Sequence, residues 1–362
     1  MSPQEVVIGT IHPVRWAAVL GIGLPAVLAV AALFARLNGA DVQRPLRLLR
    51  YVLTAELIAL LTLCTLGYLY EHRARARDAK LYQPLGRLID VGGYRLHLNC
   101  SGEGGPTVVL EYGLEGSYFD WYRVQPEIAR FARVCSYDRA GYGWSDTSAR
   151  PRVPGVMAGE LHTLLQAAGE KPPYLLVAHS YGSLIGQMFA YKFPDETAGL
   201  VLVDGVHLRQ SPVFPLSHRV WLRFVQWTVP FGLPRWRHWC AGGSPEVQAV
   251  AEAVNCRSRA YAAFYREWSQ LAESSAETRT ISSLGDVPLA VISRDPALGH
   301  DAEEEAHHGQ QQRHALKLST NSRLIVAEGS GHDIPLARPD VIVDAVKSLL
   351  KPRELAGSRE TP

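Results

Sequence analysis

The stretch from Leu175 to Ser183 constrains the fold of this chain more than any other. It reads as a short buried strand that ends in a sharp turn at Ser180, with a helix beginning near Gly182. Ala178 and Gly182 flank the serine at two residues' distance, where the backbone runs too close to its neighbours for bulky side chains. A serine on such a turn presents its hydroxyl at the end of a strand, and it is a candidate nucleophile.

Short apolar strands alternate with helical segments on both sides of this turn. A Gly-Gly pair at 92–93 joins two alternating segments into a predicted β-hairpin over 87–98. Further strands are predicted at 107–110, 133–137, 174–178, 199–203, 287–292 and 322–327, and helices at 121–131, 156–168, 182–192 and 339–350. Strands and helices in this order form βαβ units, so the predicted fold class is α/β with a mostly parallel sheet.

The alternation is interrupted between residues 207 and 282, a stretch rich in Trp, Arg and Pro without a clear strand. We interpret this stretch as a helical cap inserted between two parts of one core, 81–206 and 283–352. The last residues, 353–362, are polar and are predicted to form a disordered tail.

Residues 1–80 form a separate segment, which we predict to be a membrane anchor. Two apolar runs, at about 16–36 and 51–70, each have the roughly 20 residues that a helix needs to cross the hydrocarbon core. A cleaved signal peptide is the competing interpretation of the first run, but its leader carries little positive charge and a second apolar run follows. We therefore predict a multi-pass membrane protein whose two spans contact lipid.

The basic residues around the two spans do not settle which side of the membrane the rest of the chain occupies. The loop between the runs and the flanks outside them carry nearly equal numbers of basic residues. The positive-inside rule then slightly favours a cytoplasmic carboxy-terminal domain, whereas a single span would reverse that orientation.

Composition argues against several other classes of protein. The formal net charge of +2 gives no electrostatic reason to expect nucleic-acid binding. The five cysteines form no CxxC pair, so neither a zinc site nor a redox motif is indicated. Cys100 with Cys135, and Cys240 with Cys256, could form disulfides in an oxidising compartment or remain buried thiols. No phosphate-binding glycine loop is present, and no cofactor is expected.

An acidic and histidine-rich run extends from His300 to His314. Such a cluster can bind a metal ion, but a charged run at helical spacing is more often a solvated helical face. We favour the solvated face and predict no metal site.

Four motifs placed independently along the chain agree with one another. They are the Ser180 turn, the segment YGL at 112–114, the segment DRAGYGWSD at 138–146, and the segment GSGHD at 329–333. Together they make the chain from about 88 to 350 resemble the α/β-hydrolases, in particular the esterase-like group with a helical cap. The resemblance does not extend to the predicted membrane anchor.

The resemblance implies a catalytic triad. Ser180 would be the nucleophile, and His332 would be the base that removes the serine's proton. Two aspartates compete for the role of the acid, because both of their strand positions are used in this fold. Asp204 follows the strand at 199–203, and Asp295 follows the strand at 287–292. The short loop between this last strand and Pro296 restricts the reach of Asp295, and we favour Asp204.

The resemblance also implies two backbone donors for an oxyanion hole, the N–H groups of Leu114 and Tyr181. Tyr112 stands where the common His-Gly pair has its histidine, so its hydroxyl is a candidate for the substrate pocket together with Gly113. His179 neighbours the nucleophile, but its side chain is expected to point away and to support the structure.

These expectations combine into a membrane-anchored serine hydrolase that cleaves carboxylic esters through an acyl-enzyme. The tryptophans of the cap favour an apolar or lipid-like small-molecule substrate. A peptidase, a thioesterase or an acyltransferase would use the same triad, and a catalytically silent membrane scaffold would keep the same fold. The sequence does not indicate the acyl chain length or the oligomeric state.

Overall fold

The computed structural model describes residues 43–206, 216–240, 246–299 and 301–350, together with isolated positions in the first predicted span. Most of that span, 16–36, lies outside the described residues, and so does the predicted tail. The chain divides into two compact units. One is Met1–Arg77 with Pro230–Leu233, and the other is Asp78–Val229 with Pro234–Pro362.

Helix α1 covers Gln43–Leu81 and contains the second predicted span, 51–70. Its 39 residues extend over about 58 Å at 1.5 Å per residue, more than the roughly 30 Å hydrocarbon core. The large apolar side chains of its middle turns, such as Leu57, Leu61 and Leu63, are exposed. In the described part of the chain, α1 is the one helix that is long and apolar enough to cross a membrane.

The second unit is built on one eight-stranded sheet in the order β1-β2-β4-β3-β5-β6-β7-β8. The strands are β1 Arg87–Asp90, β2 Arg95–Ser101, β3 Thr107–Glu111, β4 Val134–Asp138, β5 Tyr174–His179, β6 Thr197–Val203, β7 Leu289–Arg294 and β8 Ser322–Ala327. Strands β1 and β2 are antiparallel to their neighbours, and all the others run parallel. The predicted α/β class with a mostly parallel sheet is therefore confirmed.

Helices cover both faces of this sheet, and others lie within the predicted cap segment. In chain order they are α2 Gln125–Ile128, α3 Pro154–Ala168, α4 Gly182–Lys192, α5 Leu216–Thr228, α6 Leu233–Trp236, α7 Gln248–Asn255, α8 Ser258–Ser269, α9 Leu271–Thr278, α10 Ala302–Leu316, α11 Ile334–Ala337 and α12 Pro339–Leu350. The regular elements between 216 and 278 are all helical within the residues described there.

The sheet separates two hydrophobic cores, because alternate residues of a strand point to opposite faces. Leu176 joins the core formed with α3 and α4, whereas its neighbours Leu175 and Val177 join the core formed with α2 and α12. The β5 strand is buried along its whole length, as expected for a parallel strand covered on both sides.

The predicted helix at 121–131 is wrong in its extent. The segment instead forms a 3-10 turn at Tyr118–Trp121 and the four-residue helix α2. Pro126 accounts for the difference, since proline lacks the N–H of a helix interior and disfavours a helical residue before it. A helix can therefore contain Pro126 only in its first turn, and α2 begins one residue before it, at Gln125.

Four of the five cysteines are paired. Cys100 and Cys135 face each other on β2 and β4 and form one disulfide, and Cys240 and Cys256 form a second within the cap. Cys64, in α1, is free. The structure thus selects the disulfide alternative that the sequence left open.

Candidate active site

Ser180 occupies the turn between β5 and α4. Its φ of 50° lies in the left-handed region, which residues other than glycine rarely adopt. A Cβ atom on Gly182 would lie only 2.5 Å from the carbonyl oxygen of Tyr112, so the position admits glycine alone. The turn is also held by the Ser180 amide, which donates to the carbonyl of Val203 on β6 at 3.0 Å. The small residue predicted two positions after the serine is therefore required, because the backbone of Tyr112 passes close to Gly182.

His332 and Asp204 extend a line of hydrogen bonds from this serine. His332 lies in the loop between β8 and α11, and its Nε2 is 2.9 Å from the Ser180 hydroxyl oxygen. Its Nδ1 is 2.6 Å from the Asp204 Oδ2 atom. Because a carboxylate only accepts, Nδ1 carries the ring proton, and Nε2 is left with the lone pair that can receive the serine's proton.

Asp204 follows β6 directly and is almost fully buried. Burial opposes ionisation of its carboxyl group. The imidazoles of His308 and His332 nevertheless donate to it and hold the pKa of Asp204 well below its usual range. The amide of Arg294 adds a third donor, at 2.9 Å from Asp204 Oδ1. This site therefore keeps a negative charge beside the imidazole of His332.

Asp295, the alternative acid, is engaged elsewhere. Its two carboxylate oxygens accept from the backbone amides of Ala297 and Gly329, each at 2.8 Å. These hydrogen bonds, that from Gly329 first, lower the pKa of Asp295. The structure thus brings Asp204 to His332, while Asp295 ties the end of β7 to the loop that precedes His332.

The two candidate oxyanion donors flank the serine. Tyr181 is the N-cap of α4, where helix amides lack intrahelical partners. The loop that carries Leu114 passes directly over Ser180, since a Cβ atom on Gly113 would lie 3.1 Å from the Ser180 Cβ. Within the described residues, the amides of Leu114 and Tyr181 donate to no other group.

Arg139 holds the loop before Leu114 in place. Its guanidinium donates to the carbonyl oxygens of Tyr112 and Gly113, both at 2.7 Å. It also pairs with Glu111 on β3 at 2.6 Å and with Glu267 on the cap helix α8 at 3.0 Å. Burial opposes the charge of Arg139, but the two carboxylates outweigh this cost and raise its pKa. A fully buried arginine therefore fixes the loop and joins it to the cap.

Tyr112 is half-buried, and its ring packs edge-on against Trp121 and lies 4.8 Å from the ring of His179. Burial, together with the negative charges of Asp120 and Asp333, raises the pKa of Tyr112 well above its usual value. The hydroxyl therefore stays protonated at any physiological pH.

His179 does not simply point away from the site. Its Nε2 donates to the backbone carbonyl of His332 at 3.0 Å, and the two imidazole rings are 4.8 Å apart. Burial, reinforced by the charge of His332, lowers the pKa of His179 to about 3. A neutral His179 therefore holds the backbone of His332, which is a supporting contact of the kind expected.

His308 was assigned to a solvated helical face, and for this residue that interpretation is wrong. The run does form a helix, α10, but His308 turns inward and places its Nε2 2.9 Å from Asp204 Oδ1. Gln312, one turn later, donates to the carbonyl of Gly205 at 2.9 Å. Polar residues spaced by four along a helix share a face, and that spacing was the available signal. His300 lies outside the described residues.

The sequence profile of a family described as alpha/beta hydrolase fold matches residues 106–244. Two bacterial relatives from Bacillus subtilis (strain 168) are uncharacterized proteins. YqjL is 40% identical over 103 residues, which are 28% of this chain and 41% of YqjL. YbdG is 27% identical over 170 residues, which are 46% of this chain and 51% of YbdG. The chain thus spans about half or less of either relative.

A protein of Gibberella zeae named AB hydrolase superfamily protein matches this chain over a longer stretch. It is 25% identical over 279 residues, covering 68% of this chain and 86% of the relative. Among solved structures, the enol-lactonase from Burkholderia xenovorans LB400 superposes with a TM-score of 0.57 at 22% identity, over 73% of this chain and 99% of its own. The epoxide hydrolase CorEH gives a TM-score of 0.56 at 19% identity, over 73% and 97%.

The strand order, the serine on its strand-to-helix turn and the matching profile agree with one another. The solved structures share this fold over nearly their whole length. The chain has the α/β-hydrolase fold.

Proposed function

We propose that the protein is a serine hydrolase that cleaves carboxylic esters through an acyl-enzyme intermediate. The observation that carries the proposal is the line of hydrogen bonds from Ser180 through His332 to Asp204. A serine hydroxyl is a weak nucleophile until a base takes its proton, and the unprotonated Nε2 of His332 is within reach to do so. Asp204 stabilises the imidazolium that then forms.

The reaction proceeds in two halves at this site. As Ser180 Oγ attacks the ester carbonyl, its proton moves to His332 Nε2, and the amides of Leu114 and Tyr181 stabilise the negative carbonyl oxygen. His332 returns the proton to the departing alcohol, which leaves the acyl group on Ser180. Water then repeats the sequence and releases the acid. An epoxide would call for a carboxylate nucleophile, and serine at this position favours an ester.

Two of the cap tryptophans place apolar surface on the outside of the cap, not only around a substrate. Trp268 is buried in the core, and Trp221 packs against Trp239, whereas Trp227 and Trp236 are 76% and 65% exposed. Helix α5 extends this outward apolar surface, since Trp227 shares one exposed face with Leu216, Val220 and Phe224.

This outer face of the cap supports the membrane part of the proposal. Residues 216–240 contain four arginines and no acidic residue, and Arg219, Arg223 and Arg237 are exposed. Exposed apolar and basic side chains on one helix are typical of segments that lie at an anionic membrane surface. Together with α1, they favour a membrane-associated enzyme whose substrate is apolar.

The two disulfides bear on which side of the membrane the catalytic unit occupies. Disulfides persist in oxidising compartments and are rare in the cytosol. We therefore propose that the unit faces the oxidising side, contrary to the slight preference from counting basic residues. Two spans of nearly balanced charge permit either orientation.

A chain-length series of p-nitrophenyl esters tests the proposed activity. The purified full-length protein is expected to hydrolyse these esters, with kcat/KM rising as the acyl chain lengthens beyond acetate. Ser180→Ala is expected to reduce turnover to the background rate. Turnover that survives Ser180→Ala, or an amide or thioester preferred over every ester, would contradict the proposal and favour another acyl-transfer activity.

A further inference from the structure

The carboxylate of Asp204 is shared between two histidines. His332 Nδ1 lies 2.6 Å from Oδ2, and His308 Nε2 lies 2.9 Å from Oδ1. The Arg294 amide also donates to Oδ1. Since the Asp204 side chain is only 1% exposed, these protein donors take the place of the water that would otherwise orient it.

Helix α10 is docked so that His308 reaches this carboxylate. One turn before it, Glu304 pairs with Arg294 at 3.2 Å, and one turn after it, Gln312 donates to the carbonyl of Gly205. The contacts fall at positions i, i+4 and i+8, so a single helix face rests on the ends of β6 and β7. The imidazole itself is 12% exposed, which leaves little freedom to turn away.

We propose that His308 is a positioning residue for the catalytic acid, an inference that rests on the ester-hydrolase mechanism proposed above. A carboxylate rotates freely about its Cβ–Cγ bond unless both oxygens are held. With Oδ1 fixed by His308 and by a backbone amide, Oδ2 is aimed at His332 Nδ1. This contact keeps the ring proton of His332 on Nδ1 and the lone pair on Nε2.

The test compares His308→Ala, His308→Gln and His307→Ala in the full-length protein, using p-nitrophenyl butyrate. His308→Ala is expected to lower kcat by about 10–100-fold, the range that loss of an outer hydrogen-bond partner causes at metal sites. KM should stay within about twofold, because His308 contacts the proposed triad only through Asp204. His308→Gln restores a donor at Oδ1 and is expected to recover most of kcat. His307, on the exposed side of α10, is the matched control.

Two results would overturn the inference. They are kcat unchanged in His308→Ala, and a loss in His308→Gln as large as in His308→Ala. Labelling of Ser180 by a fluorophosphonate, measured on each variant, separates this outcome from failure of the proposed function. An unlabelled wild-type protein contradicts the hydrolase proposal itself, whereas a labelled and fully active His308→Ala contradicts only the role of His308.

Discussion

Replacing Asp204 by asparagine should impair the site through the wrong tautomer of His332. Two donors, His308 Nε2 and the Arg294 amide, face Oδ1, so the oxygen of the new amide must occupy that position. Its NH2 group then takes the place of Oδ2 and donates to His332 Nδ1. The ring proton is forced onto Nε2, which faces Ser180 and can no longer accept the serine's proton.

The expected loss in kcat is large, because the substitution removes both the proton acceptor on His332 and the negative charge of Asp204. In a triad of this geometry, the equivalent substitution lowers kcat by about 10⁴-fold, or roughly 5.5 kcal/mol of transition-state stabilisation. The fold should be largely preserved, because asparagine has the same shape and keeps the hydrogen bonds to His332, His308 and the Arg294 amide, while it loses only the 4.0 Å ion pair with the Arg294 guanidinium. We therefore expect KM to change little.

The assay is steady-state hydrolysis of a p-nitrophenyl ester, with Asp295→Asn as the matched control. Asp295 holds the amides of Ala297 and Gly329, and one amide oxygen can still accept from one of them. We expect Asp295→Asn to retain kcat within about tenfold, since it disturbs only the loop before His332. A loss in Asp295→Asn that equals or exceeds the loss in Asp204→Asn would refute this assignment of the acid.

Three further perturbations have defined outcomes. Arg139→Met leaves the carboxylates of Glu111 and Glu267 buried without their partner, and should cost about 3–5 kcal/mol in denaturant unfolding, whereas an unchanged midpoint would contradict the role of Arg139. Burial raises the pKa of Asp120 from 3.8 to about 7, so its stabilising contribution is complete below pH 4 and disappears as pH rises through 7. Asp120→Asn should therefore flatten the pH dependence of Tm between pH 4 and 8, and an unaltered slope would contradict the burial argument. Maleimide labelling of the unfolded, unreduced protein should modify Cys64 alone, and all five cysteines after reduction; more than one reactive thiol before reduction would contradict the pairing.

The sheet and the serine turn were predictable because they depend on local patterns. Strand β5 is a continuous apolar run, and its length, its flanking turns and the glycine at 182 all indicate the same strand-to-helix unit. The helix at 121–131 failed for an equally local reason, the proline at 126, which the apolar spacing alone does not reveal.

The choice between Asp204 and Asp295 depends on long-range geometry. Both residues follow parallel strands, and 128 residues separate His332 from Asp204. The short loop before Pro296 favoured Asp204 from the sequence. The distances between the side chains, and the backbone amides that occupy Asp295, could not be inferred from sequence spacing.

The contacts of Arg139 and His308 also depend on residues that are distant in the sequence. Arg139 lies in a motif that was noted, yet its partner Glu267 is 128 residues away on the cap. His308 stands in a charged run, and charge alone indicates solvent. Its burial follows from the docking of α10 on β6 and β7, which no local pattern encodes.

The most direct test of the whole account is the site of covalent labelling by a fluorophosphonate probe. The probe reacts with serines that an adjacent base has activated, and peptide mass spectrometry identifies the modified residue. We predict one adduct, on Ser180, in the full-length protein, and a strong loss of labelling in His332→Ala. An unmodified Ser180, or labelling that is indifferent to His332, would contradict the claim that these two residues form an activated nucleophile.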